Sequence, residues 1–81
     1  METRVAVISI IVENRASAPA VNDLLHEYGD CIIGRMGLPY APKGVNIICV
    51  AIDAAADKIN ALTGALGRIN GIVAKAAFSN V

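Results

Sequence analysis

Eighty-one residues suit one small domain, expected to run over 1–81 as a single unit. The formal net charge is zero, so no long-range field draws the chain toward nucleic acid or an anionic membrane. Yet 56 % of the residues are apolar and 17 % charged, more apolar material than a thin two-layer core can hide, and a second subunit is expected to cover the rest.

Arg4 to Glu13, "RVAVISIIVE", is β-branched and apolar at both parities, as befits a central strand. Its apolar run is too short to cross a membrane, and Glu13-Asn14-Arg15 follows it instead of a small-residue cleavage site. Neither a membrane span nor a secretion signal is expected. Cys31 and Cys49 lack C-x-x-C spacing and read as reduced thiols of a cytoplasmic protein. Next, "SAPAVNDLLHEYG" places Val21, Leu24, Leu25 and Tyr28 on one helical stripe, with Ser17 as N-cap, Pro19 in the first turn and Gly29 as the stop.

"CIIGRMGL" forms the second strand, broken by Gly34 and Gly37 around Arg35 and Met36. A loop with Pro39, Tyr40, Pro42 and Gly44 leads into "VNIICVAI", Val45 to Ile52, again apolar at both parities. Asp53 is placed to cap the next helix, whose Ala55, Ile59, Leu62, Leu66 and Ile69 make one continuous face. Asn70-Gly71 turns the chain into "IVAKAAFS", the last strand.

The order β-α-β-β-α-β is that of an α+β, ferredoxin-like sandwich: a four-stranded antiparallel sheet with two helices on one face. In that topology strands one and three are central, matching the two doubly apolar runs, and Arg35 and Lys75 guard the edge strands. The face opposite the helices is apolar and has nothing in this chain to cover it. A homo-oligomer, dimer or tetramer, built by sheet-to-sheet or edge-to-edge contact is therefore expected.

Four features bear on chemistry. Asn14 and Arg15 precede the first helix, where free N–H groups and a positive dipole end favour an anion; solvated turn residues would look the same. Gly34-Arg35-Met36-Gly37 reads as a bulged edge strand kept open for close contact, with Arg35 as a fork-shaped donor to carboxylate or phosphate. Gly64 and Gly67 each cost about 1 kcal/mol in a helix interior relative to alanine. They lie off the buried stripe, so they either admit a neighbour or end the helix early. His26, the only histidine, does not join the apolar stripe and reads as a surface residue; with two distant cysteines it falls short of a metal set. No G-x-S-x-G, H-E-x-x-H or phosphate loop is present. Without tryptophan and with one phenylalanine, the sheet has no stacking platform for RNA.

The stretches "VENR", "VNDLLHEYGDCIIGRMGLPY", "VNIICVAID" and "DKINALTGALGRINGI" resemble the family of small iron-only hydrogenase system regulators over nearly the whole chain. The resemblance implies a ferredoxin-like, ACT-type fold, similar to the ligand-sensing half of nickel-responsive regulators, and small ligands held at strand–helix or subunit junctions. The histidine cluster of the nickel regulators is not reproduced, so no metal or cofactor is expected, and no direct contact with nucleic acid. The leading expectation is a non-catalytic regulatory module that binds a small anionic ligand as a homo-oligomer. Its ligand residues would come from Asn14, Arg15, Gly34, Arg35, Met36, Gly37, Tyr40, Gly64 and Gly67, with the "GRMG" strand near the Gly64/Gly67 helix face of its own or a neighbouring chain. Two alternatives stand beside it. One is an acylphosphatase-like enzyme using Arg15 with Asn14 or Asn46; the other is a structural assembly partner that needs no ligand.

Overall fold

The computed structural model describes residues 2–81. The chain runs β1 (Arg4–Val12), α1 (Ala18–Glu27), β2 (Ile32–Tyr40), β3 (Val45–Ala54), α2 (Ala56–Gly67), β4 (Ile72–Phe78), with short 3₁₀ turns before and after α1 and between β2 and β3. The sheet is antiparallel, in the order β2-β3-β1-β4. This is the expected ferredoxin-like sandwich, with the doubly apolar strands β1 and β3 in the centre.

Alternation along the central strands decides which face is buried. Ala6, Ile8, Ile10 and Val12 of β1 and Ile48, Val50, Ile52 and Ala54 of β3 point toward the helices and are buried. Val21 and Leu25 of α1 and Ile59, Leu62 and Leu66 of α2 close over them. Each fully buried Leu or Ile contributes about 1.5–3 kcal/mol relative to exposure. The other parity of β1, Val7, Ser9 and Ile11, faces out and is exposed.

Local details depart from the sequence expectation at four places. Ser17 does not cap α1 with its side chain; Asn14 caps the preceding 3₁₀ turn, its Oδ1 accepting from Ala16 N at 3.1 Å. Ser17 Oγ instead donates to the carbonyl of Asn70 at 2.6 Å, tying this turn to the one before β4. Asp53 does not cap α2. It remains in β3, opposite Val5, because pairing with β1 carries the strand on to Ala54, and Ala55 takes the N-cap position without a side-chain bond. Pro39 lies inside β2, opposite Asn46, not in a loop; proline is tolerated where an edge strand needs no outward N–H. The bulge in β2 falls between Ile32 and Gly34, so "GRMG" itself is paired in regular register with β3.

Gly71 makes the one close glycine contact. Its φ is +77°, and a Cβ there would lie 2.5 Å from Asn14 Cβ. The backbone is pinned at the same place, since Glu13 N donates to Gly71 O at 2.7 Å.

Candidate functional site

β2 is an edge strand whose residues beyond Ile32 are all exposed, and its two faces offer different chemistry. Arg35 pairs with the buried Val50, so its side chain leaves on the helix side of the sheet. There its Nη2 donates to Asn22 Oδ1 of α1 at 3.0 Å. The partner is a neutral amide, so this contact positions the guanidinium without neutralising it. Gly37 follows on the same face, and a Cβ built on it meets nothing within 4 Å. The missing side chain leaves open space on the helix side of β2, two residues along from Arg35.

Met36 and Tyr40 point the other way, onto the open face of the sheet. Register defines the rows across that face: Gly34–Ala51–Val7–Ala77, then Met36–Cys49–Ser9–Lys75, then Leu38–Ile47–Ile11–Val73. Apart from Val7 the first row is small, and the third is large. Around Gly34 and Ala51 the face sinks into an apolar hollow of about 300 Å³, walled by Val7, Met36 and Cys49. A larger recess of about 470 Å³ lies where Arg4, Ala56, Asn80 and Val81 meet, away from every residue singled out in the sequence.

The sequence-predicted residues thus separate into groups. Gly34 through Gly37 and Tyr40 share β2, divided between its two faces. Asn14 and Arg15 sit at the start of α1; the Asn14 side chain is engaged in capping, and Arg15 is exposed. Gly64 and Gly67 lie on α2, which packs chiefly on β4, the edge strand opposite β2. Contact between "GRMG" and the Gly64/Gly67 face within one chain is therefore ruled out, and only a neighbouring chain could bring them together. Gly67 is the last residue of α2, as the early-ending reading anticipated. The residue missed from the site is Asn22, although Val21-Asn22 was among the stretches carrying the family resemblance. His26 is exposed, both cysteines are free, and the described residues contain no group of three His, Cys, Asp or Glu able to hold a metal ion. Among the same residues no helix is long and apolar enough to cross a membrane.

A family model described as TM1266-like, iron-only hydrogenase system regulator, matches residues 4–76. The chain belongs to the TM1266-like family. Among solved structures, this TM1266-like chain is similar to the TM1266 protein of Thermotoga maritima, at 32 % identity over 95 % of this chain and 98 % of that one, with a TM-score of 0.91. The fold is shared more distantly with the C-terminal domain of the MgtC protein from Mycobacterium tuberculosis, at 11 % identity, coverage of 94 % and 87 %, and a TM-score of 0.74. It is shared as well with the ACT domain from GTP pyrophosphokinase of Chlorobium tepidum, at 17 % identity, coverage of 100 % and 91 %, and a TM-score of 0.66. No curated protein matches the chain significantly. The TM1266-like assignment and the ACT-like, ferredoxin-like fold agree with what the sequence stretches implied.

Proposed function

We propose that this TM1266-like chain is a non-catalytic regulatory module that works as a homo-oligomer and binds a small anionic ligand on the rim between β2 and α1. The observation that carries the reading is the Arg35–Asn22 pair, with open space at Gly37 on the same face. A guanidinium oriented by a neutral amide keeps donors for a carboxylate or phosphate, and the neighbouring glycine leaves room for it. The family's description as a regulator is consistent with a site that senses and does not turn over.

Charge-assisted hydrogen bonds of this kind contribute about 1.5–3 kcal/mol each, so losing one weakens an anion by roughly tenfold to a hundredfold. The test is a melting-shift screen of amino acids, nucleotides and small organic acids on the native chain and on Arg35→Ala. The expected result is a ligand that raises the melting temperature of the native protein and not of Arg35→Ala, with fold and assembly of the variant unchanged. A ligand that stabilises both equally removes Arg35 from the site. A panel without any effect favours an assembly partner that needs no ligand.

A further inference from the structure

The open sheet face gathers exposed apolar side chains from β1, β2 and β4, with half-buried ones of β3 between them. Val7 is 46 % exposed, Met36 61 %, Leu38 57 % and Tyr40 48 %, with Ile11 and Val73 close behind. Six side chains at such exposures present roughly 500 Å² of apolar surface, near the upper end of the largest patch on a typical monomer. With Ile47, Cys49, Ala51 and Ala77 the face approaches the about 800 Å² that each partner of a standard interface buries. Its charged side chain in the three rows is Lys75, on edge strand β4, where the ammonium reaches water past the rim.

The relief of the face selects the occupant. Large residues fill the Leu38–Ile47–Ile11–Val73 row, whereas in the row two residues away along each strand Gly34, Ala51 and Ala77 are small and only Val7 is bulky. The Met36–Cys49–Ser9–Lys75 row lies midway. A two-fold axis along that middle row turns the ridge of one copy onto the trough of the other, strand over same strand. Leu38 and Ile47 of one protomer then stand over the hollow at Gly34 and Ala51 of its partner. An axis along the strands would instead stack ridge on ridge and trough on trough, leaving the hollow empty at a cost in packing.

We infer that the open face is a homodimer interface in which two copies stack sheet to sheet about a two-fold axis running across the strands through Cys49 and Ser9. This specifies the surface for the assembly named in the proposed function and does not depend on the ligand. The two sheets pack about 10 Å apart and close an aligned sandwich, with helices on both outer faces. Cys49 meets the partner's Cys49 near the axis, while Cys31 stays beside its own chain's core.

The experiment exchanges bulk between ridge and trough. Gly34→Val fills the hollow, and nothing lies within 4 Å of a Cβ at that position. Leu38→Ala removes the ridge side chain from an exposed edge position. Each single variant is expected to raise the dimer Kd by roughly tenfold to a hundredfold, because the altered contact occurs twice per dimer. The double variant Gly34→Val/Leu38→Ala is expected to recover most of that loss. Kd is read by light scattering and sedimentation, with circular dichroism confirming fold. In parallel, a short bismaleimide should join two copies through Cys49 in Cys31→Ser and not through Cys31 in Cys49→Ser. A native chain that is monomeric at 100 µM would overturn both this interface and the homo-oligomer in the proposed function. An oligomer indifferent to both single variants would overturn the interface alone. Single variants that weaken the dimer without recovery in the double would overturn the axis.

Discussion

Gly71→Ala should destabilise the fold far more than Gly44→Ala, although both glycines have positive φ, +77° and +65°. Forcing an L-residue into the left-handed region costs about 1–2 kcal/mol, and this applies to both. At Gly44 the added methyl meets nothing within 4 Å, so the backbone term is the whole effect. At Gly71 the methyl would stand 2.5 Å from Asn14 Cβ, 3.1 Å from Asn14 N and 3.4 Å from its Cα. Carbon atoms prefer about 3.5–4.0 Å, so the overlap is about 1 Å against backbone. That backbone cannot yield freely. Asn14 caps Ala16 N, its carbonyl accepts from Ser17 N at 2.9 Å, and Glu13 N is bonded to Gly71 O. Overpacking against such a wall costs about 1–3 kcal/mol more. The total is about 2–5 kcal/mol for Gly71→Ala against about 1–2 for Gly44→Ala. In a chain of this length each kcal/mol lowers Tm by about 4–8 °C, so the two variants should differ by at least about 4 °C. Urea and thermal unfolding at one fixed protein concentration provide the measurement, since any self-association would make apparent stability depend on concentration. Equal losses for the two variants would refute the reasoning: the turn at Asn14 would then move aside cheaply and not lock the start of α1 to the start of β4.

Leu66→Ala, at a fully buried position in α2, should cost about 2–5 kcal/mol by urea unfolding, more than any substitution on β2. Asn14→Ala should cost about 1 kcal/mol through loss of the cap on Ala16 N, while Ser17→Ala, losing the bond to Asn70, should show a similar loss without altering helix content by circular dichroism. Gly37→Ala should change stability by less than about 0.5 kcal/mol, since its surroundings are open; a large loss would mean that β2 needs a conformation alanine cannot adopt. His26→Ala should bind zinc and nickel as the native chain does in isothermal titration, and a stoichiometric loss of metal would assign the exposed His26 a role it is not given above.

The fold was legible because it is written in parity. Ile8 and Ile10 pack under the helices while Val7 and Ile11 lie on the open face, so the central strands carry apolar residues at both parities. The errors fell where a local preference competes with a long-range partner. Asp53 is a good cap by type, but Val5 across the sheet holds it in β3. Pro39 looks like a loop residue until β2 is known to be an edge whose outward N–H groups have no ladder partner. Ser17 has the right chemistry for a cap but donates instead to Asn70, distant in sequence and brought beside it by the turn before β4. The site was legible only as residue types. Arg35 and the glycines stood out, but the partner of Arg35 is Asn22, reached across the crossover from α1, and no spacing rule connects them.

The sheet order also sets a schedule for the folding chain. β1, the earliest strand to be synthesised, is hydrogen-bonded on one side to β3 and on the other to β4, which comes last. Until Ile72–Phe78 has emerged, one edge of the most apolar strand stays unpaired, and no hairpin available earlier can satisfy it. Loop closure over such separations makes assembly slow relative to a helical chain of the same length, and it exposes "VAVISIIV" to intermolecular pairing meanwhile. A chain interrupted before β4 is therefore not a smaller version of this protein but an open template for aggregation, and the last seven-residue strand serves as the latch on the first.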